Sequence, residues 1–66
     1  MSFRDWVKQQ LVERGMIESQ AIQVVNLLEQ DEASVSMQGR WGEAVEGYPD
    51  MMKSVILVSA LRVGLS

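Results

Sequence analysis

Residues 51–65 read MMKSVILVSALRVGL, and this stretch decides the fold. Ten of its fifteen positions are apolar, and its few polar residues, such as Lys53 and Arg62, do not share one face of a helical wheel. A helix that is apolar nearly all round is buried on nearly all sides. We expect a helix over 50–64, with an isolated strand over 55–58 as the alternative, because that run also has strand character.

The rest of the chain is too small to cover such a helix. A protein of 66 residues buries only about 60% of the surface that its unfolded form exposes. The chain has no cysteine and no histidine, so disulfides and zinc sites cannot supply the missing stability. The helix is also shorter than the about 20 residues that span a bilayer. We therefore expect a homo-oligomer, with a twofold dimer favoured, whose interface contains Met52, Val55, Ile56, Leu57 and Leu61.

The first half of the chain predicts a helical hairpin. Ser2 can cap a helix over 3–14, in which apolar residues recur every three or four positions. Gly15 can take the left-handed conformation that ends this helix. A second amphipathic helix follows over 19–30. We expect Trp6 to be a core anchor rather than a ligand platform, because large aromatic side chains dominate core burial.

We expect residues 33–49 to form a glycine-containing aromatic loop between the hairpin and the last helix. The loop holds Arg40, Trp41 and Tyr48, three residue types that are enriched at binding hot spots. These residues could be exposed anchors for a partner. Alternatively, the two aromatic side chains could plug the open end of the bundle while Arg40 pairs with an acid. Pro49 suits the first turn of the final helix.

Acidic residues are concentrated in the middle of the chain. Residues 16–50 carry a net charge of −6, whereas 1–15 carry +1 and 51–66 carry +2. Such a segment is either a solvated surface or a face for a basic partner. On the second interpretation, the candidate partner-binding residues are Arg40, Trp41, Glu43, Glu46, Tyr48 and Asp50.

The composition excludes several kinds of chemistry. Without histidine and cysteine, a triad with a histidine base and a cysteine nucleophile are both impossible. Carboxylates such as Glu43, Glu46 and Asp50 could act as an acid/base pair only if their surroundings separated their pKa values, which a short solvated loop does not provide. We expect no enzyme, no catalytic residue, no cofactor and no metal site. A net charge of −3 makes nucleic acid a poor partner.

Several short stretches carry a resemblance to a known group of proteins: Phe3–Val7, Gly15–Met16, Met37–Trp41 and Glu46–Pro49. An apolar helix with Ser59 and Arg62 follows them. This pattern resembles small proteins encoded by tailed phages and prophages, and it covers most of the chain. The resemblance implies an accessory protein in the cytoplasm of an infected or lysogenic bacterium. Such proteins often bind a host enzyme or a defence component.

Two functional hypotheses follow from these observations. The first is an all-α, self-associating interaction protein that binds, and in some cases inhibits, a host protein. The alternative is a helical oligomer that binds a small ligand such as a nucleotide near Arg40, Trp41 and Tyr48, because an arginine beside aromatic rings can hold a phosphate and stack on a base. In both hypotheses the chain is one helical domain, 1–66, with no membrane partner.

Overall fold

The computed structural model of the chain describes residues 1–30 and 41–65. The predicted all-α class is confirmed, since the described residues form three α-helices and contain no strand. The alternative of a strand over 55–58 is wrong, because these residues lie inside the last helix. The helices begin and end within one residue of the predicted positions. They are α1 (Phe3–Glu13), α2 (Glu18–Gln30) and α3 (Asp50–Leu65), with a short 3-10 turn at Val45–Gly47.

Local capping interactions fix both ends of α1. The Ser2 hydroxyl oxygen accepts a hydrogen bond from the Asp5 backbone N–H at 3.2 Å. At the other end Gly15 has a φ of +99°, which a residue with a Cβ rarely adopts. The Gly15 N–H donates to the Val12 carbonyl at 3.0 Å, and the Met16 N–H donates to the Leu11 carbonyl at 3.1 Å. This is the Schellman arrangement, and it turns the chain into α2.

The three helices contribute different numbers of buried side chains to the hydrophobic core. Both hairpin helices bury a stripe of side chains, whereas Ala60 is the only buried residue of α3 among those described. Small residues therefore lie where α3 meets the hairpin. Gly64, one turn beyond Ala60, sits so close to α2 that an added Cβ would overlap Met16 Cε and lie 3.5 Å from Val24 Cγ2. Among residues 1–30 and 41–65, those buried in the core are Phe3, Val7, Leu11, Ala21, Val24, Val25, Leu28, Trp41, Val45, Tyr48 and Ala60.

The segment before α3 is docked against the start of α1. The Phe3 N–H donates to the Glu43 carbonyl at 2.7 Å, and the Arg4 N–H donates to the Trp41 carbonyl at 2.9 Å. Ser2 and Ala44 form an isolated antiparallel bridge. The first N–H groups of a helix have no partner within the helix itself. Here backbone carbonyls from a distant part of the sequence provide those partners.

Candidate interaction surfaces

One face of α3 points away from the core and is largely apolar. Met51, Val55, Val58 and Leu65 expose 80%, 60%, 48% and 83% of their surface, respectively. Together with the exposed Arg62 they are separated by alternating steps of four and three residues, the spacing that forms one continuous stripe along a helix. We call these five residues the outer face. At 100° per residue it lies opposite the buried Ala60.

The predicted self-association residues divide between two sides of α3. Val55 lies on the outer face, and its role in self-association stays a prediction. The other four are half-buried and pack against the core of their own chain, so less of their surface is left for a subunit interface, and their part in self-association stays a prediction. They pack inward because α3 turns Ala60 and its neighbours toward the hairpin. The inward-packing residues are Met52, Ile56, Leu57 and Leu61.

Sequence reasoning missed three outer-face residues, namely Met51, Val58 and Leu65. The stretch is so uniformly apolar that no polar side marks the direction of solvent.

The two loop aromatics are core residues and not exposed anchors. Trp41 and Tyr48 expose only 5% and 4% of their surface. Their rings pack on Phe3, with centroid distances of 5.3 and 4.2 Å. The docking of 41–45 on the start of α1 places Trp41 there. The interpretation of both aromatics as exposed anchors is wrong for this structure, and their burial agrees with the alternative in which they pack into the bundle. The other predicted loop residue, Arg40, lies outside the described residues.

Trp6 packs on the same aromatic cluster and is partly exposed. Its ring stacks on Phe3 at 5.9 Å. The Lys53 ammonium lies 5.9 Å from the Trp6 ring centroid, within the range of a cation–π contact. Trp6 therefore supports the core from its edge, as the sequence suggested.

Three exposed acidic residues occur in the segment 43–50. Glu43 precedes the 3-10 turn, Glu46 lies within it and Asp50 is the first residue of α3. The Asp50 side chain is 99% exposed, and its carboxylate lies 3.0 Å from the Lys53 ammonium. A carboxylate so open to solvent has further oxygen lone pairs to offer to a second cation.

The C-terminal end of α3 is basic. Arg62 is exposed there, and Arg14 from the end of α1 lines a cleft with Leu11, Met16 and Leu61. Arg14 is held in place because its Nη1 donates to the Gln10 carbonyl at 3.1 Å and to Gln10 Oε1 at 2.9 Å. α3 thus carries an exposed acid at its first position, Asp50, and an exposed base in its last turn, Arg62.

Within residues 1–30 and 41–65, no helix is long and apolar enough to cross a membrane. The same residues contain no cluster of three or more acidic side chains placed to hold a metal ion. Comparison of the chain with protein-family models, with curated proteins and with solved structures found no match.

Proposed function

We propose that this protein is a non-catalytic interaction module that self-associates through the outer face of α3. The observation that carries the proposal is the exposure of Met51, Val55, Val58 and Leu65 on one side of a single helix. Covering a Val, Leu or Met side chain completely contributes up to about 1.5–3 kcal/mol. A second copy that covered all four would therefore gain several kcal/mol before the cost of association.

The arrangement of these side chains matters more than their number. Single exposed apolar residues are common on protein surfaces and need no explanation. Ile17 and Leu27, which are 70% and 55% exposed, are such cases on the hairpin. The apolar side chains of the outer face are neighbours on successive turns, with Arg62 among them. A contiguous patch of this kind is typical of an interface.

The proposal includes a second, heterologous partner with a basic surface. Its contacts would lie at the acidic residues Glu43 and Glu46, both of which are exposed. Charges at the rim of an interface mainly accelerate association and select the partner. The sequence resemblance to phage proteins points to a host enzyme or a defence component as the class of partner.

The nucleotide-binding alternative loses the aromatic platform on which it was based. Trp41 and Tyr48 are buried against Phe3, so neither ring presents a face to a base. No observation on the described residues favours this alternative over an interaction protein.

Self-association is tested by light scattering from low to high micromolar concentration. We expect a mass that rises above the 7.4 kDa of one chain as the concentration increases. Val58→Lys should abolish this rise, because it places a charge at the centre of the outer face. Gln9→Lys is the matched control, since it adds the same charge at an exposed position of α1. A wild-type protein that stays at the mass of one chain throughout would contradict the proposal.

The heterologous partner needs a separate experiment. The wild-type chain and a Glu43→Lys/Glu46→Lys variant are immobilised side by side and exposed to bacterial lysate. A protein retained by the wild type and lost from the variant supports the acidic contact. Equal retention by both chains, or retention by neither, would count against it.

A further inference from the structure

We propose that two copies of α3 pair antiparallel about a twofold axis, with Arg62 of each copy beside Asp50 of the other. This inference rests on the proposed self-association and specifies its geometry. It names one occupant for the outer face, a second copy of this chain. Two observations carry it: the spacing of the outer face and the opposite charges at the two ends of α3.

The spacing fits an antiparallel pair over residues 51–62, whereas Leu65 extends beyond the first residue of the opposing α3. With the axis midway between Val55 and Val58, Val55 of one copy lies against Val58 of the other. The next layer outward on each side then places Met51 against Arg62. Asp50 lies at the same level of the helix as Met51 but 100° round from it, at the edge of the outer face. The long side chain of the opposing Arg62 can extend to this edge and bring its guanidinium to the Asp50 carboxylate.

The charges distinguish this arrangement from a parallel one. A parallel pair would bring Arg62 against Arg62 within the apolar stripe and would place the two Asp50 carboxylates at one end. Like charges that face each other across an interface are unfavourable. The antiparallel pair instead joins opposite charges twice. Asp50 can accept this contact because its side chain is 99% exposed even with Lys53 beside it.

The size of the outer face sets the strength of the dimer. A helix of 16 residues is about 24 Å long, and the apolar stripe is only one helix wide. Such a contact falls short of the about 800 Å² per partner that is typical of stable interfaces. We therefore expect a reversible dimer whose population depends on concentration. Reversing the charge of Asp50 or Arg62 should be enough to weaken it measurably.

Chemical cross-linking tests the orientation directly. The chain has no cysteine, so single introduced thiols report unambiguously. Met51→Cys and Arg62→Cys chains are mixed and treated with a short bis-maleimide, and the products are separated by mass. The antiparallel dimer gives the mixed product, in which one Met51→Cys chain is joined to one Arg62→Cys chain. Two Arg62→Cys chains are joined only rarely, because the two copies of position 62 are about 16 Å apart along the helix axis.

The opposite product pattern would overturn the inference. Predominant products that join two Met51→Cys chains, or two Arg62→Cys chains, would show a parallel pair. No cross-link at all, from a wild-type protein that light scattering shows to be dimeric, would show that the dimer uses another surface. A monomeric wild type would refute the proposed self-association itself, so the two failures are distinguishable.

Charge reversal provides an independent test. We expect Asp50→Lys and Arg62→Glu each to weaken dimerisation by about tenfold, the change that loss of a favourable pair and creation of a repulsive one can produce. The double variant should return to within about threefold of the wild type, because its pairs have opposite charge again. In a parallel dimer both single variants would dimerise like the wild type, and that result would overturn the inference. Circular dichroism confirms that each variant is folded.

Discussion

The ring of Phe3 stacks on the ring of Tyr48, with centroids 4.2 Å apart and 17° between the ring planes. One residue opens α1 and the other lies just before α3, so this contact joins the start of the chain to the start of its last helix. Trp6 and Trp41 pack on the same phenyl ring at 5.9 and 5.3 Å. Phe3 is therefore the centre of the aromatic cluster that attaches the loop to the helices.

Truncation of Phe3 should unfold the protein. Phe3→Ala costs about 3–5 kcal/mol at a buried site, which is comparable to the about 3–5 kcal/mol that one small core supplies. Phe3→Leu should cost about 1–2 kcal/mol, since it retains volume and loses the aromatic contacts. Circular dichroism in the absence of urea shows whether Phe3→Ala is folded, and urea titration measures the free energy of unfolding of each folded variant. Gln9→Ala, an exposed change on the same helix, is the control, and a Phe3→Ala variant as stable as this control would refute the role of the cluster.

Gly15 should not tolerate a side chain. Its φ of +99° lies in the left-handed region, where an L-residue costs about 1–2 kcal/mol. Gly15→Ala should lower the free energy of unfolding by about that amount. Gly42→Ala is the matched control: its φ is not positive, and an added Cβ there has no neighbour within 4 Å. Equal stability of the two variants in urea would contradict the assignment of Gly15 as the helix-ending residue.

Gly64 presents a balance of two opposing effects. Replacing glycine by alanine in a helix gains up to about 1 kcal/mol, but the new Cβ would overlap Met16 Cε. That atom is the end of a flexible side chain that borders an open cleft, so it can move aside. We expect Gly64→Ala to change the stability by less than about 0.5 kcal/mol. Gly64→Val should cost more than about 1 kcal/mol, because its branches approach Val24 as well. Thermal unfolding compares the two, and a Gly64→Val variant as stable as Gly64→Ala would show that the helices do not meet closely here.

Arg4 links α1 to α2 through two polar contacts. Its guanidinium forms an ion pair with Glu29 and donates to Asn26 Oδ1 at 2.6 Å. The Arg4 and Glu29 side chains are 37% and 33% exposed, so solvent screens their attraction. A double-mutant cycle of Arg4→Ala and Glu29→Ala should give a coupling of no more than about 1 kcal/mol, and added salt should reduce it. A coupling that is unchanged in high salt would contradict this interpretation.

Much of the fold could be predicted because its signals are local. Ser2 and Gly15 mark the ends of α1, and Pro49 precedes α3, so the positions of the helices follow from capping chemistry and spacing. These effects act over one or two turns and do not depend on the rest of the molecule.

The burial of the loop aromatics Trp41 and Tyr48 could not be predicted in the same way. Trp41 and Tyr48 are buried because residues 41–45 pair with the start of α1 through backbone hydrogen bonds. Backbone pairing between distant segments leaves no mark on side-chain periodicity. The sequence therefore permitted both an exposed and a buried interpretation of the same residues.

The direction of the outer face was also hidden from the sequence. Side chains such as Val55 and Ile56 are chemically alike, yet one points to solvent and the other packs on the core. Only the close approach at Ala60 and Gly64 distinguishes the two sides. The limit here is physical, since a helix that is apolar on all sides carries no hydrophobic direction of its own.

The carbonyls that cap α1 have a consequence for how the chain opens. First-turn amides of a helix near a chain terminus usually exchange their hydrogens with solvent quickly, because the end frays. The amides of Phe3 and Arg4 are instead held by carbonyls of residues 43 and 41. Their exchange therefore requires the segment before α3 to detach. Hydrogen exchange at Phe3 and Arg4 therefore measures the detachment of residues 41–43, which lie some forty positions away in the sequence.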